Sequence, residues 1–309
     1  MSLPLALVGI GKIARDQHIP SISETEGVHL AATASRNPDA TVEDVPAYTS
    51  LAALLEAEPA IRAVSLATPP LARFADAARA LAAGKHVMLE KPPGATLSEV
   101  HALEAMAADK GVTLFATWHS REAAAVDAAR DWLATKTLRA LRIAWKEDVR
   151  YWHPGQDWIW QAGGLGVFDP GINALSVMTA ILPHAVHLSG AELHFPSNRE
   201  TPVAADLTCA DPGGATVTAE FDWLEQGPPT WTIEIETAEG NARLTEGGAR
   251  FQPDDGPEIA GEDREYRRLY ARFAKLIDAG ESEVDLSPMR HVADAFTLGK
   301  RIEAPTFDW

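Results

Sequence analysis

The first residues able to do chemistry lie near the start of the chain, where the apolar run Leu5–Val8 leads into Gly9-Ile10-Gly11-Lys12-Ile13-Ala14. In this G-x-G-x-x-A spacing, Gly9 allows a tight strand-to-helix turn, and Gly11 lets the backbone approach a pyrophosphate. Ala14 lets the helix pack closely on its strand. The free N–H groups at the start of that helix favour a diphosphate. The pattern therefore predicts a dinucleotide site that includes Gly9, Gly11, Lys12 and Ile13.

Cofactor choice is usually read about 20 residues beyond such glycines, and here that position holds Ser35 and Arg36. An acidic residue there bonds the ribose 2′-OH of NAD, whereas an arginine accommodates the 2′-phosphate of NADP. No carboxylate stands at this position, and a guanidinium pairs bidentately with phosphate. The sequence therefore predicts NADP as the preferred cofactor, with NAD as the alternative.

A second candidate for chemistry is Lys91, which follows another strand-like run and stands in Glu90-Lys91-Pro92. The carboxyl ends of parallel strands line the ligand crevice, so Lys91 is expected to point into it. A lysine there can orient a substrate hydroxyl or donate to it. Thr68 and Pro69 end a neighbouring run, and Thr68, Pro69, Glu90 and Lys91 are all predicted to contact the cofactor.

A third candidate is the stretch Gly163–Asn173, in which three glycines that would allow the close approach of a substrate precede Asp169, with Asn173 four residues later. A helix that begins near Pro170 would put Asp169 at the N-cap and Asn173 one turn later, on the same face. A carboxylate and an amide that project together suit the binding and deprotonation of a hydroxyl. The alternative is that Asp169 only caps the helix.

The elements that must position these residues change character near residue 120. Up to that point, short strands alternate with helices of roughly ten to fifteen residues, which predicts a doubly wound parallel sheet. Runs of strands without intervening helices follow, and these predict an α+β domain with a mostly antiparallel sheet. We therefore expect a Rossmann domain at 1–120 and a second domain at 121–309. Helices are expected at about 262–279 and 289–303, and the last helix is expected to pack back on the first domain.

Composition excludes several function classes. A net charge of −17 without a basic block argues against nucleic acid as a partner. The sequence has no apolar run of about 20 residues for a membrane span and no export leader. The single cysteine, Cys209, rules out an intrachain disulfide and a cysteine-built zinc site, and no metal is predicted. A cytoplasmic protein is expected.

Together, the motifs resemble the Gfo/Idh/MocA family of oxidoreductases. The resemblance rests on G-x-G-x-x-A, Thr68-Pro69-Pro70, the run from Ala83-Gly84-Lys85-His86 to Glu90-Lys91-Pro92, and Gly163-Gly164 leading to Asp169 and Asn173. It implies a Rossmann domain and a second domain with an open sheet that is often used for homo-oligomerisation. It also implies nicotinamide-dependent chemistry on a sugar or polyol hydroxyl, with Lys91 in the active site.

Two positions depart from the family pattern. Asn173 stands where the family usually has a histidine, and Arg73 replaces a histidine that commonly follows the Thr-Pro motif. Because asparagine cannot act as a general base, proton removal falls to Asp169, to Lys91, or to a solvent-linked histidine such as His153 or His119.

The variant with Asp169 and Asn173, together with Glu147 and His153, is similar to aldose 1-dehydrogenases of this family that act on L-arabinose and D-galactose. This similarity implies oxidation at C1 to an aldonolactone, by hydride transfer to NADP or NAD, with Lys91, Asp169 and Asn173 as catalytic residues. A pyranose calls for aromatic platforms and for polar groups that bind hydroxyls. The platforms are expected among Trp152, Trp158, Trp160 and Trp231, and the polar groups among Glu147, His153 and His119.

Other functions are also consistent with these motifs. The same family includes inositol and other polyol dehydrogenases and enzymes like biliverdin reductase. Members of a different class are non-catalytic sugar sensors that hold the dinucleotide. The presence of both Lys91 and Asp169 argues against a sensor.

Overall fold

The computed structural model describes residues 2–309, in which strands and helices follow the apolar patterning of the chain. The strands are β1 Leu3–Val8, β2 Val28–Ala34, β3 Ala47–Tyr48, β4 Ala63–Leu66, β5 His86–Leu89, β6 Leu114–Ala116, β7 Leu138–Lys146, β8 His187–Pro196, β9 Ala204–Ala210, β10 Thr216–Asp222, β11 Thr230–Thr237, β12 Gly240–Thr245, β13 Arg250–Pro253, β14 Ile259–Ala260 and β15 Lys300–Ala304. The α-helices are α1 Ile19–Glu24, α2 Leu51–Ala57, α3 Pro70–Ala82, α4 Leu97–Lys110, α5 Val126–Leu133, α6 Val149–Trp152, α7 Phe168–Ile181, α8 Glu265–Ala279 and α9 Ser287–Leu298. A π-helical stretch, Ala14–His18, runs directly into α1, and short 3-10 helices lie at His119–Glu122, Asp157–Trp160 and Glu246–Gly248.

The chain divides into two units, and neither is a single continuous segment. The first comprises the chain up to His119 together with Arg264–Leu286, and the second comprises Ser120–Asp263 together with Ser287–Trp309. The predicted assignment of all of 121–309 to the second domain is therefore wrong for 264–286. Helix α8, and not the last helix, belongs to the first unit, because its apolar stripe packs into the core of that unit.

The first unit is built on a parallel sheet with the order β3-β2-β1-β4-β5-β6 in the described residues. Successive side chains of β1 alternate between its two faces. Ala6 and Val8 pack in a core with Leu51, Leu54 and Ala77 of α2 and α3. On the other face, the core joins these side chains of β1, α1 and α8: Leu5, Leu7, Ile22, Tyr266, Tyr270 and Phe273. The predicted doubly wound parallel sheet is confirmed.

The second unit is built on a sheet with the order β14-β13-β12-β11-β7-β10-β9-β8-β15 among the described residues. The pairs β7 with β10 and β8 with β15 are parallel, and the other neighbours are antiparallel. The predicted mostly antiparallel sheet is therefore confirmed. Helices α5, α7 and α9 cover one face, and the other face presents polar side chains such as Thr216 and Glu220 of β10.

The structure corrects two predicted boundaries in the second unit and adds three strands that were not predicted. The predicted helix at 289–303 ends at Leu298, and Lys300–Ala304 forms β15 instead. Gly299 makes this break possible, because a Cβ there would meet the carbonyl oxygen of Ala295 at 2.5 Å. Helix α7 begins at Phe168, so Asp169 lies inside its first turn and is not the N-cap. The strands β12, β13 and β14 were not predicted, because β12 and β13 are short and interrupted by polar residues, and β14 has only two residues.

Within residues 2–309, no helix is long and apolar enough to cross a membrane.

Candidate active site

In the first unit, the glycine motif lies at the carboxyl end of β1. Gly9 has a φ of +91°, and a Cβ at this position would meet Ala67 C and Thr68 N at 2.9 Å. A side chain is therefore excluded at Gly9 by both strain and crowding. A Cβ at Gly11, in contrast, would have nothing within 4 Å, so this backbone borders open space. The two glycines thus have the roles that the motif predicts, a tight turn and an approachable backbone.

Thr68 gives a second indication that a ligand fits this edge of the sheet. Its hydroxyl oxygen is buried and finds no hydrogen-bond partner within the part of the chain that the structure describes. A buried hydroxyl without a partner is uncommon in a folded protein. The carboxyl ends of β1, β2, β4 and β5 bring Gly9, Gly11, Ser35, Thr68 and Lys91 to one edge, which fits a dinucleotide held by backbone N–H groups and hydroxyls.

Arg36 extends from the end of β2 as an exposed side chain. The hydroxyl of Ser35 accepts a hydrogen bond from the N–H of Asn37 at 3.2 Å, which fixes the turn that carries Arg36. Asp76 of α3, which no sequence motif indicated, lies close enough to Arg36 for their charges to interact. Burial raises the pKa of Asp76, and the charges of Arg79 and Arg36 offset part of that rise. Lys12 and Ile13 are exposed at the start of the helix, and Lys12 forms an ion pair with Asp16.

Arg73 connects the two loops that follow β4 and β5. Its guanidinium is 2% exposed and donates hydrogen bonds to the carbonyl oxygens of Thr68, Glu90 and Pro92. Burial lowers the pKa of Arg73 to about 10, so the group stays protonated at neutral pH. The acceptors at Glu90 and Pro92 are the carbonyls directly before and after Lys91. The departure from the family histidine therefore has a structural role here.

Glu90 was predicted to contact the cofactor, but its carboxylate is engaged within the protein. It accepts hydrogen bonds from the N–H of Lys91 and from the hydroxyl of Tyr266, and His18 Nε2 lies 3.4 Å away. Burial alone would raise the pKa of Glu90, but hydrogen bonds from His18 and Tyr266 and the charges of His18 and His119 lower it below its ordinary value. Glu90 thus positions the loop that carries Lys91.

The partners of Glu90 continue into a buried network that sequence reasoning missed. His18 Nδ1 lies 2.6 Å from the hydroxyl of Tyr270, which donates to Ser65 Oγ at 3.1 Å. His18 is 1% exposed and bridges Glu90 and Tyr270. Only the polar character of a histidine in an otherwise apolar helix face could have indicated this position.

His119, predicted to bind sugar, has one ring nitrogen engaged in the first unit. Its Nδ1 lies 2.6 Å from Glu265 Oε2, and its ring stacks on Tyr266 at 5.4 Å between centroids. Burial lowers the pKa of His119, but the hydrogen bond and charge of Glu265, with the charge of Glu90, outweigh burial and raise it overall. This pairing favours the imidazolium form.

In the second unit, Glu147 lies directly after β7 and is 5% exposed. Its Oε1 accepts a hydrogen bond from Trp223 Nε1 at 3.2 Å, and its Oε2 accepts one from Trp231 Nε1 at 2.8 Å. Trp231 also packs against Trp152, with 5.5 Å between ring centroids and an angle of 45° between the ring planes. The structure therefore brings together Glu147 with the two predicted platforms Trp152 and Trp231, and adds Trp223, which was not predicted.

His153 and Asp169 form a second polar pair in this unit. His153 Nε2 lies 3.3 Å from Asp169 Oδ2, and Asp169 is 7% exposed in the first turn of α7. The positive end of the helix dipole favours a carboxylate at this position. Asn173, one turn later, is half-buried on the same helix. The predicted i, i+4 spacing of the two side chains is present.

The glycines before Asp169 have a role other than the predicted approach of a substrate. A Cβ at Gly164 would meet the carbonyl oxygen of Ile159 at 2.4 Å, and one at Gly166 would meet that of Pro202 at 2.3 Å. These glycines therefore let the chain pack against its own backbone. Among the predicted platforms, Trp160 is also internal, since it is 2% exposed and packs against Trp223 and Phe307.

No group of three or more His, Cys, Asp or Glu side chains is placed to hold a metal ion in residues 2–309.

Comparison with known proteins gives a consistent result. Residues 3–117 match the GFO_IDH_MocA model, described as an oxidoreductase family with an NAD-binding Rossmann fold. Galactose 1-dehydrogenase of Pseudomonas fluorescens is 45% identical over 316 residues, which cover 98% of this chain and 98% of that protein.

Solved structures extend the likeness to both units. The crystal structure of D-galactose-1-dehydrogenase from Rhizobium etli shares 56% identity and a TM-score of 0.93, and the match covers 99% of this chain and 98% of that one. A 3-ketoreductase from Actinomadura kijaniata, in complex with NADP and TDP-benzene, shares 21% identity and a TM-score of 0.85 over 99% of this chain and 100% of that chain. At that identity the likeness concerns the fold alone.

Proposed function

Since the chain belongs to the Gfo/Idh/MocA family of nicotinamide-dependent oxidoreductases, we propose that it oxidises D-galactose and L-arabinose at C1 to their aldonolactones. The observation that carries the proposal is the likeness, over nearly the full chain, to two proteins named as galactose 1-dehydrogenases. The second unit supplies matching chemistry, because buried carboxylates lie beside indole rings that suit the apolar face of a pyranose.

The reaction removes a hydride from C1 and a proton from O1, and leaves an exocyclic C1=O double bond, so that the sugar ring becomes a lactone. The bound nicotinamide supplies the hydride acceptor. We assign proton removal to Asp169, whose orientation His153 holds at 3.3 Å. Asn173 binds the sugar through its amide, and Glu147 accepts hydrogen bonds from sugar hydroxyls. Lys91, which Arg73 and Glu90 position within the first unit, stays a predicted catalytic residue, to be tested separately by Lys91→Ala.

The test is the absorbance at 340 nm with D-galactose, L-arabinose, D-xylose, D-glucose and myo-inositol, each with NADP⁺ and with NAD⁺. Turnover of D-galactose and L-arabinose supports the proposal. Turnover of myo-inositol alone would replace it with a polyol dehydrogenase. Cofactor binding without any turnover would favour a sugar sensor.

Asp169→Asn tests the assignment of the base. The amide keeps the shape of the side chain but cannot accept the proton, so kcat should fall at least about 100-fold. The dissociation constant of NADP⁺ should stay within about twofold of that of the wild type. A large loss of NADP⁺ affinity with a nearly unchanged kcat would contradict this role.

Three further features belong to the same proposal. Arg36 favours NADP⁺, because an exposed guanidinium at the end of β2 can pair with a 2′-phosphate. The open face of the second sheet pairs two copies into a homo-oligomer. The location is the cytoplasm, where the single thiol of Cys209, buried in β9, stays reduced.

A further inference from the structure

Both oxygens of the Glu147 carboxylate accept an indole N–H, one from Trp223 at 3.2 Å and one from Trp231 at 2.8 Å. The terminal torsion of a glutamate side chain is broad, so a carboxylate without such donors can rotate. Donors on both oxygens fix the plane of the group.

The backbone places Trp223 beside Glu147 with little freedom. Strands β7 and β10 are parallel, with Lys146 opposite Asp222, so Glu147 and Trp223 are the next pair along. The N–H of Glu147 donates to the carbonyl of Asp222 at 2.9 Å, and the N–H of Val149 donates to the carbonyl of Trp223 at 3.0 Å. The N–H of Trp223 in turn donates to the carbonyl of Val203 at 3.0 Å.

The ring of Trp223 also contacts the histidine of the second polar pair. The centroids of Trp223 and His153 are 5.3 Å apart, in an edge-to-face arrangement at 64°. His153 in turn lies 3.3 Å from Asp169. One indole therefore contacts both Glu147 and the histidine that faces Asp169. Trp223 itself is 0% exposed, so it presents no surface to a ligand.

We propose that Trp223 is a positioning residue for sugar binding, which orients the carboxylate of Glu147 through its N–H and supports His153 through its ring. The inference rests on the proposed function, because it assumes that Glu147 binds the sugar. A site built to pair with hydroxyls loses affinity when its polar groups are misaligned. Loss of the Trp223 N–H should therefore raise the KM for the sugar more than it lowers kcat.

Trp160 offers a matched control. It is 2% exposed, it packs directly on Trp223 at 5.2 Å, and its indole nitrogen has no hydrogen-bond partner among residues 2–309. W223F and W160F thus remove the same buried ring atoms from adjacent places. Only W223F removes a donor to Glu147.

The experiment measures KM, kcat and NADP⁺ affinity for both variants with the sugar that the wild type oxidises best. We expect W223F to raise the KM about tenfold, W160F to change it less than about threefold, and NADP⁺ affinity to stay unchanged in both. In an E147Q background, W223F should add little further increase, since the two residues act as one unit. Equal KM values for W223F and W160F, or a full additional increase in E147Q, would overturn the inference.

If W223F does not fold, the KM values of W223H and W160H are compared instead. Histidine retains a ring N–H, so the KM of W223H should stay close to that of W160H, and a tenfold difference would contradict the role of the N–H. The wild type is measured first. If it oxidises no aldose, the proposed function fails and this inference fails with it. If the wild type is active but the Trp223 and Trp160 variants have equal KM values, the inference alone fails.

Discussion

At the scale of residues, we expect cofactor preference to depend on Arg36, which is exposed at the end of β2. Arg36→Ala removes the guanidinium that can pair with a 2′-phosphate, so kcat/KM with NADP⁺ should fall about tenfold or more. With NAD⁺, which lacks this phosphate, kcat/KM should stay within about threefold. Initial rates at 340 nm with each cofactor check this expectation.

Arg62 provides the control, because it is also exposed but directly precedes β4. It therefore lies at the amino ends of the parallel strands, whereas Arg36 follows the carboxyl end of β2. Arg62→Ala should leave the ratio of the two cofactors unchanged. If Arg36→Ala lowers the rate equally with NADP⁺ and NAD⁺, the phosphate contact does not exist.

The residues that carry a spacing signal were predictable from the sequence, and those that support them were not. Gly9, Gly11 and Lys91 are marked by local motifs at strand ends. The groups that position Lys91 come from far along the chain, since Tyr266 reaches Glu90 across 176 residues and His18 pairs with Tyr270 across 252. No local pattern encodes such pairings. Trp223 was missed for the same reason, because its role depends on the register of β10 against β7.

At the scale of elements, α8 links the pH dependence of stability to the first unit. Its first residue, Glu265, holds His119 and raises the pKa of that histidine above its usual value. A raised pKa in the folded state stabilises the fold below the unfolded pKa, near 6.5, and this stabilisation is lost as the pH rises through the folded pKa. The ion pair should therefore contribute most in mildly acidic solution.

Glu265→Gln should accordingly lower the urea concentration at the midpoint of unfolding more at pH 5.5 than at pH 9. The difference corresponds to about 1 kcal/mol, since the partly buried pair loses one charged partner. Glu24→Gln is the control, because it also removes a carboxylate that pairs with a side chain of α8, but its partner, Arg267 at 3.1 Å, is an arginine and not a histidine. An equal effect of Glu265→Gln at both pH values would contradict the assignment.

The elements with strong periodicity were predictable, and those fixed by tertiary pairing were not. Helix α8 has an apolar stripe that indicates a helix from the sequence alone. The segment Lys300–Ala304 continues a helical pattern but forms a strand, because β8 offers an unpaired edge in the required register. Sheet edges are a property of the folded unit, so sequence periodicity could not reveal this one.

At the scale of the whole molecule, the open face of the second sheet should join two copies of the chain. Its centre is a groove of about 640 Å³ lined by Ala144, Thr232, Glu220 and Arg243. The face carries both signs of charge, with Arg142 3.3 Å from Glu236 and Arg243 2.9 Å from Glu234. A face with both signs can meet its own copy about a two-fold axis without net repulsion.

Ala144→Arg adds bulk and charge at the centre of this groove. We expect a dimer for the wild type and the mass of a single chain for the variant, measured by sedimentation velocity, because an unpaired charge in a packed interface is costly. Ala105→Arg, at an exposed position of α4, should keep the wild-type mass. A wild type with the mass of one chain would remove the proposed homo-oligomer.

The segment Arg264–Leu286 belongs to the first unit but is synthesised after most of the second, and this order affects folding during translation. A chain leaves the ribosome N-terminus first, at about 5–20 residues per second. The six strands up to Ala116 are complete long before Tyr266, Tyr270 and Phe273 exist to cover one face of their sheet. For on the order of ten seconds, the nascent chain exposes that apolar face, so chaperones that hold unfinished domains should bind this protein while it is still attached to the ribosome.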